Sequence, residues 1–170
     1  MVITVPNFCL ILLIGPSGSG KSEFAKKHFK STEIVSSDFC RGIVGDDESD
    51  QSISEHAFDL LHYIAEKRLF LGKLTVIDAT NLHQAARKEL IKIAERNNCL
   101  YVAIIFNLSE KLCKERDSKR KERRVGEGVI KKHFQMLKSS IDNIYKESFK
   151  YVYILNSQEE INSIEIKREG

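Results

Sequence analysis

Five short apolar runs punctuate this chain, at residues 8–14, 33–36, 74–77, 100–106 and 151–155, and stretches of helical period separate them. Runs of this length, rich in Ile, Val and Leu and closed by turn residues, predict buried strands. Between the first two, Phe24, Ala25, His28 and Phe29 mark the inner face of a helix over about 21–29. Ser52-x-x-Glu55 reads as a capping box. It opens a long helix with apolar positions 57, 60, 61, 64, 68/69 and 71, and Gly72 suits its stop. Asn81 is placed to cap a helix over 82–97 with Ala86, Leu90, Ile93 and Ala94 inward. Ser109 starts another, to about residue 116, and Val129, His133, Leu137, Ile141, Ile144 and Tyr145 mark the last. Strands alternating with helices predict right-handed βαβ units: an α/β fold with a five-stranded parallel sheet and helices on both faces. The acidic residues 46–50 read as an exposed loop, 117–125 lack any apolar period, and 156–170 read as a charged tail of weak order.

At 170 residues the chain suits one domain, 1–170, and its 42% apolar and 30% charged content is that of an ordinary globular protein. Cys9, Cys40, Cys99 and Cys113 are too scattered for a disulfide framework or a zinc site, so a reducing cytoplasm is expected. The apolar run at 8–14 is too short to span a bilayer and no basic leader precedes it, so no membrane role is expected. The net charge is +3, yet residues 111–132 alone hold ten Lys or Arg against four acids. Such a run is either a solvated helix face or a functional cationic segment.

The chemistry begins where the first run ends. Gly15-Pro16-Ser17-Gly18-Ser19-Gly20-Lys21-Ser22 has the G-x-x-x-x-G-K-S spacing of a phosphate-binding loop. Glycines let backbone N–H groups converge on phosphate oxygens, and the following helix presents its N-terminal dipole to the anion. Lys21 supplies a cation for the β- and γ-phosphates, and Ser22 a hydroxyl for Mg²⁺ (or Mn²⁺). ATP or another nucleoside triphosphate is the expected ligand.

In an open parallel sheet, ligands gather at the carboxyl ends of the strands. The loop, Asp38 and Asp78 all follow strand ends and should therefore meet. The chain has no Asn-Lys-x-Asp guanine-reading element and no Leu-Ser-Gly-Gly-Gln element, which argues against GTPase switches and ABC-type ATPases. What remains resembles a small phosphotransferase of adenylate-kinase or shikimate-kinase architecture. Asp38 is the candidate general base, or else caps the turn at 39–43. Arg41 suits a bidentate grip on an acceptor phosphate. Asp78 suits a Mg²⁺-bound water, a brace for Arg41 or a strand-end cap, and Asp38 too is a candidate to meet the metal through water. Arg116, Arg120 and Arg123 are spaced four and three apart, so a helix would align them over about 10 Å as an Arg-rich lid at about 116–128.

These residues, with the segments GPSGSGKS, SSDFCRG, DDESDQ, GKLTVIDATN, FNLSEKLCKER and YVYILN, resemble the kinase module of bacterial polynucleotide kinase-phosphatases (Pnkp) of the clostridial RNA-repair type. The resemblance covers nearly the whole chain. It implies transfer of the ATP γ-phosphate to 5′-OH ends of RNA or DNA. It also makes Lys21 and the loop amides the phosphate cradle, Ser22 the metal ligand and Asp38 the base. Arg41 would then contact the acceptor's adjacent phosphate, with Arg116, Arg120 and Arg123 as lid arginines. It further implies phosphatase and ligase modules beyond the tail, and an RNA-modifying methyltransferase as partner. Gly126 and Gly128 depart from the helix formers expected after the lid. A small-molecule kinase and a non-catalytic nucleotide-gated domain are the competing expectations.

Overall fold

The computed structural model describes residues 1–170. Its centre is a five-stranded sheet of β2 (Cys9–Ile14), β3 (Ile34–Ser36), β4 (Thr75–Asp78), β5 (Leu100–Phe106) and β6 (Tyr151–Leu155). Every neighbouring pair is parallel and the order is β3-β4-β2-β5-β6. All six residues of β2 are buried, as its position in the middle of the sheet requires. Its side chains alternate with the pleat: Leu10, Leu12 and Ile14 enter one apolar cluster, while Cys9, Ile11 and Leu13 enter the other.

The helices divide between the two faces. On the first face lie α2 (Ser37–Gly45), α3 (Ser54–Phe70) and α4 (Gln84–Arg96), contributing Cys40, Leu61, Leu69 and Leu90. On the second lie α1 (Lys21–His28) and α5 (Glu110–Ser118), contributing Phe24, Ala25 and Cys113. The long α6 (Glu127–Asn143) serves both, with Ile130 in the second cluster and Leu137 in the first. No helix is long and apolar enough to cross a membrane.

The ends of the chain differ from the sequence reading. Residues 156–170 are folded: α7 (Gln158–Ser163) and β7 (Glu165–Glu169) follow β6, and β7 pairs in parallel with β1 (Val2–Pro6) as a separate ribbon. Three isoleucines scattered among charges explain it. Ile161 and Ile164 are buried with Ile3 and Val5, and Ile166 packs against the same cluster. The charges are also used: Arg168 donates two hydrogen bonds to the Glu33 carboxylate, at 2.8 and 2.9 Å.

Two expected caps are also replaced. Ahead of α3, Asp50 accepts from the Ser52 amide at 2.9 Å and caps a short turn at 51–53, so the helix begins at Ser54 instead of from a Ser52–Glu55 box. Asn81 does not cap α4. It sits at φ 50, almost fully buried, and its Nδ2 donates to the Leu13 carbonyl at 2.7 Å, tying the end of β4 to β2.

Candidate active site

The strand ends meet at one edge, and a cleft of about 1130 Å³ opens there. The loop after β2 forms its floor. Gly18 and Gly20 adopt φ values of 82 and 88, a left-handed conformation that suits glycine. Gly18 also has no room for a side chain, since a Cβ would stand 2.7 Å from the Cys113 carbonyl oxygen. The Gly15 amide donates to the Thr80 carbonyl at 3.0 Å, and the Ser19 hydroxyl donates to the Pro16 carbonyl at 2.7 Å. Lys21 opens α1 with Nζ donating to the Pro16 carbonyl at 2.8 Å. Burial lowers the pKa of this ammonium to about 8, against a raising influence from Asp78.

Ser22, beside it, donates from Oγ to Asp78 Oδ2 at 2.7 Å. Asp78 is the last residue of β4; burial pushes its carboxyl up, while the Ser22 hydrogen bond and Lys21 pull it down. Of the three sequence-based options for Asp78, the structure therefore shows contact with the Ser22 hydroxyl and no brace to Arg41. Both groups are hard oxygen donors. Nowhere do three His, Cys, Asp or Glu side chains cluster as a metal cage. So sparse an oxygen set fits Mg²⁺, which binds through one or two protein oxygens, phosphates and water.

Asp38 lies in the first turn of α2 but does not cap it. That role belongs to Ser36, whose side chain accepts from the Phe39 amide. The Asp38 carboxylate is thus left for other partners: Arg41 Nη1 donates to Oδ1 at 2.9 Å, and Arg123 Nη1 to Oδ2 at 3.1 Å. Arg41 is buried and its Nε reaches the Ser54 hydroxyl at 3.2 Å. Arg123 also stands 3.6 Å from Glu48 in the acidic loop.

The three lid arginines all line this cleft, but not as one helical face. α5 ends at Ser118, and Arg120 and Arg123 lie in the loop that follows, Arg123 at φ 58. The loop is shaped by Asp117, a buried acid inside the basic run, which accepts from the amides of Val125 and Gly126 at 2.9 Å each. Gly126, at φ 88, then turns the chain into α6, which answers why glycine stands there. Arg120 Nη1 donates to Ser17 Oγ at 3.0 Å, and Arg116 Nη1 to the Gly18 carbonyl at 3.3 Å. Two arginines therefore hold the phosphate loop, and the third spans the cleft to Asp38.

Two further residues at the site belong to no functional motif in the sequence. His133 of α6 accepts from the Ser17 amide through Nδ1 at 3.2 Å, and burial holds its pKa down to about 4, so it is neutral at pH 7. Gln158 of α7 accepts from Arg116 Nη2 through Oε1. Both act through tertiary contacts over more than forty residues of chain, which no local motif records.

A parallel sheet of this order, with a glycine-rich phosphate loop after its central strand, defines a P-loop domain of kinase-like form. A family model described as an AAA domain matches residues 10–144, and the chain belongs to that family. Over 111 residues it is 31% identical to "Transcription factor bHLH140" of Arabidopsis thaliana, covering 65% of this chain and 11% of that protein. Among solved structures it is similar to a chain of the Pnkp1/Rnl/Hen1 RNA repair complex, with TM-score 0.69 and 22% identity over 82% of this chain and 47% of that one. It is also similar to the Mycobacterium tuberculosis APS kinase CysC, with TM-score 0.57 and 16% identity over 93% of both chains. Shikimate kinase from Acinetobacter baumannii gives TM-score 0.55 and 20% identity over 91% of this chain and 88% of that one. The chain thus spans about a tenth of the plant protein and about half of the repair-complex chain. The fold is shared by a chain of an RNA repair complex and by an APS kinase and a shikimate kinase.

Proposed function

We propose that this domain is a polynucleotide 5′-hydroxyl kinase, moving the γ-phosphate of ATP or another nucleoside triphosphate to a 5′-OH end of RNA or DNA. The observation that carries this reading is the setting of Asp38, a carboxylate held between Arg41 and Arg123 in the cleft that the phosphate loop also lines. In-line transfer needs a base for the attacking hydroxyl on one side and cations around the phosphoryl group on the other. Asp38 takes the hydroxyl proton. Arg41 holds the phosphate next to the acceptor sugar through its fork of donors. Lys21, with the amides of Gly18 and of residues 20–22, binds the β- and γ-phosphates, and Arg116 and Arg120 approach the same oxygens from the lid. Ser22 and, through water, Asp78 would hold Mg²⁺ (or Mn²⁺), which supplies charge neutralisation on the β- and γ-oxygens. Arg123 leaves Asp38 for the phosphoryl group as the acceptor enters.

The open cleft supports a long acceptor, although a small-molecule alcohol would use the same base and loop. The resemblance to Pnkp further suggests phosphatase and ligase modules in the same polypeptide and a methyltransferase partner, and the four free cysteines suit a cytoplasmic setting. The deciding experiment supplies γ-labelled ATP and Mg²⁺ with 5′-OH RNA, 5′-OH DNA or small polyols in parallel. Label on the oligonucleotides is expected; label on polyols alone overturns the polynucleotide reading.

A further inference from the structure

Beyond Arg41 the cleft continues along α3. Arg41 joins Asp38 to Ser54, with bonds of 2.9 and 3.2 Å. Ser54, Phe58 and His62 follow at four-residue spacing and all three line the cleft, a stripe about 12 Å long on one helix face. Leu82 and Ala86, at the start of the α4 region, line it as well. The stripe is polar beside Arg41, aromatic in the middle and ends on an imidazole. The Phe58 and His62 rings stand 6.3 Å apart, tilted by 58°. Burial lowers the His62 pKa, so the ring is neutral at pH 7 and offers one donor and one acceptor; the charges acting on it are Glu89, Asp59 and Arg96.

We propose that this stripe receives the second nucleoside of a polynucleotide acceptor, its base stacking on Phe58 with a polar edge toward His62. The proposal rests on the polynucleotide reading above. With the 5′-hydroxyl at Asp38, the first phosphodiester falls at Arg41, and the next nucleoside is what the chain of the acceptor carries beyond it. A single sugar ends at Arg41 and leaves the stripe unused. Every base has a π-face, so the site accepts RNA or DNA of varied sequence.

The test compares kcat/KM of the wild-type protein for a 5′-OH oligonucleotide and for the same oligonucleotide abasic at position 2. Loss of the base should lower kcat/KM about 5- to 150-fold, chiefly through KM. Phe58→Ala and His62→Ala should each weaken the intact acceptor and add no further loss on the abasic one, with ATP affinity by calorimetry unchanged. Phe58 packs partly against the core, so His62→Ala and the abasic comparison stand if Phe58→Ala folds poorly. Equal kcat/KM for intact and abasic acceptors overturns the subsite while leaving the kinase reading in place. Failure of every 5′-OH oligonucleotide, with a polyol phosphorylated instead, overturns both.

Discussion

Replacing Asp38 by Asn keeps the shape of the side chain and removes only its charge and basicity. Two guanidinium groups stand 2.9 and 3.1 Å from its oxygens, and the carboxylate is 37% exposed. The Arg123 pair is exposed and contributes about 0.2–1 kcal/mol, while the bond to the buried Arg41 contributes about 1.5–3 kcal/mol, so the substitution costs at most about 4 kcal/mol of stability. For a domain of this size that is a fall in Tm of about 8–16 °C at most. Loss of a general base costs about 10²–10⁴ in rate. Nucleotide binding should not weaken, because the carboxylate is among the lesser influences on Lys21 and repels phosphate. Single-turnover transfer of labelled phosphate to a 5′-OH oligonucleotide, with the nucleotide Kd measured on the same sample, separates these effects. Transfer within tenfold of wild type, or a Kd raised more than tenfold, would refute Asp38 as the base.

Other outcomes follow from single contacts. Lys21 has a folded pKa near 8 against an ordinary 10.5, so between those values the unfolded chain holds the extra proton and stability rises with pH. Lys21→Met should therefore raise the Tm of the nucleotide-free protein at pH 7, by roughly 1–3 kcal/mol of stability, while abolishing transfer; thermal melts at pH 7 and 10 check both signs. Gln158→Ala frees one side of Arg116 and should raise KM for ATP several-fold with kcat little changed, read by steady-state kinetics. Arg168→Ala breaks the double hydrogen bond to Glu33, whose carboxyl is held below its ordinary value by Arg168 and the Lys30 amide despite burial. The mutant should lose about 1–2 kcal/mol at pH 7, and the difference from wild type should shrink as pH falls through the Glu33 pKa, followed by denaturant melts.

The five sheet strands were legible because each is a dense apolar run, and the phosphate loop because its chemistry is confined to eight consecutive residues. Asp38, Asp78 and the loop were placed together by a rule about strand ends. The ribbon of β1 and β7 escaped because its partners lie at opposite ends of the chain, and Ile161, Ile164 and Ile166 are hidden among charges. Arg116, Arg120 and Arg123 stand out in the sequence as a basic run, but their helical alignment does not hold, since a buried Asp117 lies at the end of the helix and folds the loop back on itself. Spacing alone could not show that Arg123 faces Asp38 while Arg116 and Arg120 face the loop.

In the proposed mechanism a hydroxyl aligned on Asp38 attacks the γ-phosphorus directly and in line, with no phosphorylated protein on the way. Transfer from ATP made chiral at its γ-phosphorus to a 5′-OH oligonucleotide measures this most directly. Inversion of configuration in the 5′-phosphorylated product is the predicted result, and retention would contradict it.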